Sequence, residues 1–209
     1  YDNDGGDCDD NDGGNGEAFL MIEESTGIPG EATEVALSYE SDVPIAGIQF
    51  TISDNPNWIS GIDLVSTGDC FEASFNDING ELIGILFSME GCELDAAPSS
   101  TQFATIVYEV SPEAEWGAEI ELYYSDAIIA DSDGNAVPVS TMGSVMSVSL
   151  LGDVSADGEI NVLDVVSLIN FILFIDDPSD YEFWAGDING DGTLNILDVV
   201  LMIDIILAD

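Results

Sequence analysis

The sequence predicts a mainly β protein with a small α-helical part: a nine-stranded β-sandwich of the jelly-roll type followed by a pair of helices. Between residues 17 and 150, short runs of alternating apolar and polar residues are separated by turn residues, which is typical of half-buried strands. From residue 152 onward the apolar period becomes that of helices, and each helical run follows a twelve-residue segment rich in Asp, Asn and Gly. Three regions are therefore expected, namely an acidic leader at residues 1–16, the sandwich at residues 17–150 and a helical domain at residues 152–209.

The strand assignment depends on alternation and on turn signals. Ile48, Phe50 and Ile52 alternate with polar neighbours, which places one face of that strand in a core. Asn79 and Gly80 form a strong hairpin-turn signal between two such runs. The predicted strands are residues 18–23, 34–40, 46–53, 61–66, 71–76, 81–89, 103–110, 118–130 and 143–149.

Two segments, 153–164 and 187–198, repeat the same oxygen-rich pattern at an offset of 34 residues. EF-hand calcium loops place ligands at positions 1, 3, 5, 7, 9 and 12 and a glycine at the sharp turn at position 6. One match could be an ordinary Asp/Gly turn, but two in register, each leading into an apolar helix, predict two EF-hand-like Ca²⁺ sites. The candidate ligands of the first loop are Asp153, Ser155, Asp157, the carbonyl of Glu159, Asn161 and Asp164. Those of the second are Asp187, Asn189, Asp191, the carbonyl of Thr193, Asn195 directly or through water, and Asp198.

Charge restricts the partners of this chain. It has 43 acidic residues, no Lys, Arg or His, and a formal net charge of −43. Carboxylates can be neutralised only by protonation, metal ions, a cationic partner or diffuse counterions. Nucleic acid and anionic membrane surfaces would be repelled. No apolar run reaches about 18 residues, so membrane insertion is not expected.

The cysteines and the leader leave alternatives open. Cys70 and Cys92 flank a predicted hairpin and could form a disulfide at its base, although buried reduced thiols are the alternative. Disulfides and calcium-dependent loops both favour a secreted, extracellular or cell-surface setting. The leader is expected to be disordered or metal-bound, and Cys8 within it could pair with another molecule. A further Ca²⁺ site is conceivable in the leader or at residues 131–135, where an Asp/Asn/Gly turn is the simpler interpretation.

The two predicted helices, 163–174 and 197–207, are apolar on nearly every side. Only Ser167 and Asn170 interrupt the first run, and only Asp204 interrupts the second. A helix that is apolar nearly all round must be covered on more than one side, whereas two packed helices cover only one side of each other. The outer faces could pack on the chain's own sandwich, but the favoured interpretation is that another protein covers them.

The 58 residues from Gly152 resemble a type I dockerin, with duplicated loop–helix segments, Asp at loop position 12 and an acidic linker. In that family, loop positions 10 and 11 choose the partner. The resemblance and the apolar helix faces together imply a partner-binding surface made of Val162, Leu163, Val166, Ile169, Ile196, Leu197, Val200 and Ile203.

The β region resembles, more loosely, a cohesin or its carbohydrate-binding-module relatives. The residues that carry this likeness are GIQFTIS, SFNDINGELIGILFS, FATIVYEV and SDAIIADSDGNAVPVSTMGSV. The resemblance implies a jelly roll whose flat face receives a dockerin. Hardly any linker separates the two domains, and short tethers disfavour intramolecular closure when they cannot span the sites. Together with the short linker, the two resemblances imply a calcium-dependent, head-to-tail filament of a prokaryotic extracellular protein, whose partner is the cohesin-like domain of an identical chain.

Two other functions are compatible with parts of the sequence. The sandwich could bind carbohydrate while the dockerin-like segment tethers it to a foreign cohesin scaffold; the candidate stacking residues are Trp58, Trp116, Trp184, Tyr123 and Tyr124, for which core or turn packing is the simpler role. Glycoside hydrolysis needs only two carboxylates, but in so acidic a chain a carboxylate pair carries no information. Without His, Lys or Arg there is no imidazole base or amine nucleophile, so an enzyme is not expected.

Overall fold

The computed structural model describes residues 16–208. The expectations for Cys8 and for metal binding at residues 1–15 lie outside the described residues.

Two sheets form the sandwich. The first has five strands in the order β11-β1-β3-β8-β5, and the second has the order β2-β12-β9-β4-β7-β6, with β10 paired to β9. The strands are β1 (Ala18–Ile22), β2 (Ser25–Gly27), β3 (Ala32–Ser41), β4 (Gly47–Asn55), β5 (Ile59–Ser66), β6 (Phe71–Ile78), β7 (Glu81–Ser88), β8 (Ala97–Val110), β9 (Glu119–Ala130), β10 (Ala136–Val137), β11 (Val139–Met142) and β12 (Ser144–Val148).

Aromatic side chains join the two sheets. Phe50 on β4 meets Phe103 on β8 edge to face, with ring centroids 6.5 Å apart. Phe103 also meets Tyr39 on β3 at 6.1 Å. These rings are buried, as the alternation of apolar residues along β4 predicts.

The predicted number of strands was wrong. Each of the nine predicted strands has a counterpart, but the described residues contain twelve. The additional ones, β2, β10 and β11, have only two to four residues, too few for an alternating pattern to emerge.

The hairpin between β6 and β7 forms where the Asn-Gly signal placed it. Asn79 and Gly80 have φ of 57° and 81°, the left-handed values that a two-residue hairpin turn requires. Cys70 and Cys92 are joined by a disulfide at the base of this hairpin. β7 is therefore held both by its turn and by a covalent link.

Three helices follow the sandwich: α1 (Val162–Ile172), α2 (Asp180–Gly186) and α3 (Ile196–Ala208). Their buried side chains form a second core separate from that of the sandwich, comprising Val154, Val165, Leu168, Phe171, Ala185, Val199 and Met202. Helix α2 was not predicted, although the capping box of Ser179 and Glu182 is a signal for its first turn. None of the helices in the described part of the chain is long and apolar enough to cross a membrane.

Candidate functional site

In the first loop, two carboxylates at opposite ends of the segment organise the backbone between them. Asp153, at position 1, accepts hydrogen bonds from the N–H groups of positions 5 and 6 at 3.0 and 2.8 Å. Asp164, at position 12, accepts from those of positions 3 and 9, both at 2.8 Å. Both side chains are fully buried. The loop is thus folded around its two terminal carboxylates.

The second loop repeats this network. Asp187 accepts from the N–H groups of positions 5 and 6 at 3.1 and 2.8 Å. Asp198 accepts from those of positions 3 and 9 at 3.3 and 2.9 Å. Gly158 and Gly192, at position 6, have φ of 86° and 76°, which explains the glycine in both copies.

The asparagines at position 9 serve first as helix caps. The side-chain oxygens of Asn161 and Asn195 each accept from the N–H group two residues later, at 2.8 Å. Their amide groups donate to the carbonyls of Glu159 and Thr193 at 3.3 and 3.0 Å. With both ends of each amide engaged in this way, contact with a metal through water fits these residues better than direct ligation.

The loops differ at positions 3 and 4. Ser155 in the first loop corresponds to Asn189 in the second, and Ala156 corresponds to Gly190. Ala156 has φ of 56° and Gly190 has φ of 68°. Because an L-residue is strained in this region, the first loop contains a local strain that the second avoids.

The donor chemistry of the loops fits a hard divalent cation. Asp153, Asp164 and Asp198 are fully buried, and the chain has no cationic side chain to neutralise them. Burying a carboxylate is costly unless hydrogen bonds and a positive charge compensate it. The backbone N–H groups supply the hydrogen bonds, but no side chain of this chain supplies the positive charge. Within residues 16–208, no three acidic or cysteine side chains form a metal cluster by themselves. Each loop instead combines carboxylates with amide, hydroxyl and main-chain oxygens, the oxygen-only set that Ca²⁺ prefers.

Beyond the loops, α1 and α3 expose matching apolar faces. Residues 34 positions apart are exposed to nearly the same extent: 65% for Val162 and Ile196, 51% for Val166 and Val200, and 38% and 40% for Ile169 and Ile203. We call this set the helix surface; it comprises Val162, Leu163, Val166, Ile169, Leu173, Ile196, Leu197, Val200, Ile203 and Leu207. All eight predicted partner-binding residues lie on it, and the chain's own sandwich does not cover them.

A second apolar surface lies on the outer side of the larger sheet. Its residues were not among the predicted site residues. Along β7, the side chains of Leu82 and Leu86 point into the core, whereas those of Ile83, Ile85 and Phe87 are exposed. Cross-strand pairing aligns Ile85 with Gln49 on β4, and Gln49 with Ile128 on β9. We call this set the sheet surface; it comprises Ile83, Ile85, Phe87, Gln49 and Ile128. The missed signal is that β7 is apolar on both faces, which is typical of a strand covered on both sides.

Comparison with known proteins supports both halves of this description. Residues 151–207 match the family model of the dockerin type I domain. No curated protein sequence matches the chain. We refer to residues 151–207 as the dockerin-like domain.

The sandwich is similar to cohesins of known structure. One neighbour is the sixth cohesin of scaffoldin B from Acetivibrio cellulolyticus, in complex with a Cel5 dockerin variant, with 19% identity and a TM-score of 0.52; the match covers 64% of this chain and 99% of that one. A type I cohesin–dockerin complex from Clostridium thermocellum matches with 24% identity and a TM-score of 0.52, over 63% and 99% of the two chains. A non-cellulosomal cohesin from the archaeon Archaeoglobus fulgidus matches with 15% identity and a TM-score of 0.52, over 64% and 92%. These likenesses establish the fold of the sandwich, which is cohesin-like.

Aromatic residues join the dockerin-like domain to the end of the sandwich. The indole of Trp116 packs against Gly158 in the first loop, and the ring of Tyr181 on α2 packs against Gly117. The Tyr181 hydroxyl donates to the carbonyl of Asp153 at 2.9 Å. Burial, followed by the nearby Asp153 carboxylate, raises the pKa of Tyr181 to about 12. The phenol therefore stays protonated and able to donate at physiological pH.

The five candidate stacking residues do not share one face. Trp58, Trp116 and Tyr124 pack against the sandwich core, and Trp184 lies on α2 beside Tyr181. Tyr123 is exposed on β9. This arrangement does not form the coplanar strip that stacking on a sugar chain requires.

Residues 131–135 form a self-contained turn. The Asp131 carboxylate accepts from the N–H groups of Asp133 and Asn135 and from the Asn135 amide at 2.7 to 3.1 Å. Hydrogen bonds from the Asn135 side chain and backbone lower the pKa of Asp131. The simpler of the two interpretations, an Asp/Asn/Gly turn, accounts for these contacts.

Proposed function

We propose that this chain is a non-catalytic, secreted or cell-surface assembly protein. The dockerin-like helices of one copy bind the sheet surface on the cohesin-like sandwich of an identical neighbour. Ca²⁺ in the two loops stabilises the helices. The observation that carries this proposal is the presence of two exposed apolar surfaces, the helix surface and the sheet surface, on separate domains of one chain. Each surface exposes large apolar side chains to water, so its burial by a partner would be favourable.

Charge explains why these two surfaces would meet each other. Every copy carries 43 acidic residues and no basic ones, so no side-chain ion pair can form between copies. Close contact between carboxylates is repulsive. Association is therefore favourable only where both surfaces lack carboxylates. The sheet surface has Glu72, Glu81 and Asp126 only at its margin. On the helix surface, the α1 side carries no exposed carboxylate, whereas Asp204 is exposed among the apolar residues of α3.

The domain junction favours contact between chains over closure within one. β12 ends at Val148, and the first loop begins only five residues later at Asp153. Trp116 and Tyr181 hold the dockerin-like domain against the end of the sandwich. So short and packed a connection leaves little reach for the helices to fold over their own sheet. A contact between unlike surfaces of successive copies propagates head to tail.

Calcium has a structural role in this proposal. The residues that would hold it are Asp153, Ser155, Asp157, the Glu159 carbonyl and Asp164 in the first loop, and their counterparts Asp187, Asn189, Asp191, the Thr193 carbonyl and Asp198 in the second. The bound cation would supply the positive charge that these carboxylates lack. The chain's own backbone N–H groups already orient the carboxylates at positions 1 and 12.

The test is the mass of the purified chain by light scattering, in millimolar calcium and after chelation with EDTA. We expect oligomers in calcium that dissociate in EDTA. Ile85→Asp places a charge within the sheet surface and should prevent association. Val65→Asp adds the same charge to a similarly exposed position on β5, in the other sheet, and should not.

Two results would contradict the proposal. A wild-type chain that stays monomeric in millimolar calcium, or an equal effect of the two charge variants, would exclude assembly through the sheet surface. Retention of the monomer on a glycan such as cellulose or chitin would instead support the carbohydrate-binding alternative.

A further inference from the structure

After the C-cap residue of α1, Leu173, comes an exposed phenylalanine in a conformation that favours glycine. Phe174 has φ of 55°, and its side chain is 89% exposed. Its neighbours Leu173 and Ile175 are also exposed. Three consecutive large apolar side chains therefore point into solvent at this end of the helix.

The backbone around Phe174 forms a Schellman motif. The N–H of Phe174 donates to the carbonyl of Phe171 at 3.0 Å, and the N–H of Ile175 donates to that of Asn170 at 2.9 Å. The position of Phe174 in this motif is ordinarily glycine, because a side chain is strained there. Glycine would cap α1 better and would expose less apolar surface. Neither helix capping nor core packing therefore accounts for the phenyl ring.

Phe174 is also one of the positions at which the two copies of the internal repeat differ. Leu173 corresponds to Leu207 at the offset of 34 residues, and both are exposed. The next position is Phe174 in the first copy and Ala208 in the second. The ten residues of the helix surface are matched between the copies. The ring of Phe174 therefore distinguishes the α1 side from the α3 side, as does Asn170, which corresponds to the exposed Asp204.

On the outer face of the larger sheet there is a gap between side chains at Gly47, which we call the recess. Gly47 on β4 is paired with Phe87 on β7 and with Ala130 on β9. A Cβ atom at Gly47 would meet only the Leu86 carbonyl oxygen, at an ordinary 3.5 Å, so the space above this glycine is open. Phe87, whose side chain is exposed, is the cross-strand neighbour of Gly47 on this face. An incoming aromatic ring could lie over Gly47 with its edge or face against Phe87.

We propose that Phe174 anchors the docking helix on a second copy of this chain, seating its ring over Gly47 beside Phe87. This inference rests on the proposed function and names the residue that makes α1 the docking helix in place of α3. A second copy is the occupant because the same chain supplies both the exposed ring and the uncharged part of the sheet surface. Like-charged copies repel one another elsewhere, so an uncharged anchor is the kind of contact at which two of them can meet. Buried aromatic anchors commonly contribute the largest share of the binding energy of an interface.

The test uses variants of the full chain in calcium. Phe174→Gly removes the ring while giving the Schellman motif its preferred residue, so the dockerin-like domain should unfold at the same or a higher temperature. Its self-association should weaken by about tenfold or more. Gly47→Val fills the recess without backbone strain, since Gly47 lies in a regular strand, and should weaken association similarly. Met142→Ala, which trims an exposed apolar residue on β11, is the control and should associate like the wild type.

Mixing the two variants gives the decisive result. Phe174→Gly keeps an open recess, and Gly47→Val keeps the ring, so an equimolar mixture should form one-to-one dimers that do not extend. Wild-type association that Phe174→Gly leaves unchanged would overturn the role of Phe174 alone. A wild-type chain that is monomeric in calcium would overturn the proposed function itself. Mixed variants that remain monomeric would show that the ring and the recess do not meet.

Discussion

The indole of Trp116 lies against Gly158, with its Cζ2 atom 3.4 Å from the position that a Cβ atom at Gly158 would occupy. The first residue belongs to the sandwich and the second to the first oxygen-rich loop. Gly192, the equivalent of Gly158 in the second loop, has no neighbour within 4 Å of its Cβ position. The sandwich thus supports one loop and leaves the other free.

Replacing Trp116 should therefore affect the two calcium sites unequally. We expect Trp116→Ala to weaken calcium binding at the first loop by about tenfold, equivalent to about 1.4 kcal/mol of lost packing, and to leave the second loop nearly unchanged. Calorimetric titration of apo protein with calcium measures both sites. Equal weakening of both sites, or of neither, would show that the contact does not support the loop.

The carboxylate at position 12 of the second loop should be indispensable to α3. Asp198→Asn keeps the size of the side chain but replaces one accepting oxygen with a donor and removes the charge. We expect the dockerin-like domain to lose about 3 kcal/mol of stability in calcium, because two hydrogen bonds to a buried charged group are disrupted. Far-ultraviolet circular dichroism should show loss of helix approaching that of the wild type in EDTA. Asp204→Asn, on the exposed side of the same helix, is the matched control and should change stability by less than about 0.5 kcal/mol.

Position 4 of the loops offers a reciprocal pair of substitutions. Ala156→Gly should stabilise the first loop by about 1 kcal/mol, because it relieves a left-handed L-residue. Gly190→Ala should destabilise the second loop by about the same amount, since nothing lies within 4 Å of the added Cβ and only backbone strain changes. Thermal unfolding of the dockerin-like domain measures both effects. Changes of the same sign in the two variants would contradict the strain argument.

The stability of the sandwich should fall as the pH rises through about 6. Burial, opposed in part by hydrogen bonds from Trp58 and Ile59 and reinforced by Asp77, raises the pKa of Asp54 from 3.8 to about 6. The folded state therefore holds this proton more tightly than the unfolded state does. The resulting contribution is fully present below pH 3.8 and is lost as the pH rises through about 6. After allowance for solvent screening of this partly exposed group, we expect a loss of about 1 to 2 kcal/mol.

Comparison with Asp54→Asn isolates this contribution from the general repulsion among carboxylates. Denaturant unfolding of both proteins between pH 4 and pH 7 should show a smaller loss of stability in the variant. Parallel pH profiles for the two proteins would assign the dependence to other groups.

Features governed by local chemistry were predictable from the sequence. The two loops follow from residues at fixed positions in the sequence. Each backbone N–H group that donates to Asp153 or Asp187 lies within five residues of that carboxylate. The nine longer strands follow from alternation. By contrast, β2 and β11 depend on pairing with distant strands and have too few residues to show a period.

Features governed by long-range packing were not predictable. Contact between Trp116 and Gly158 joins residues of different domains, and nothing local to either residue indicates the other. The sheet surface was missed for a different reason. The alternation in β7 predicts only an ordinary strand at Ile83, Ile85 and Phe87. An apolar residue at nearly every position of β7 nevertheless indicates a strand that is covered on both faces.

The separation of the helix surface and the sheet surface onto different domains gives any assembly built from them a direction. One terminus of such a polymer would always present bare helices, and the other a bare sheet. The two termini would then grow at different rates and could be capped independently. A copy altered on one surface alone would act as a chain terminator at one terminus only, which offers a means of setting polymer length by composition.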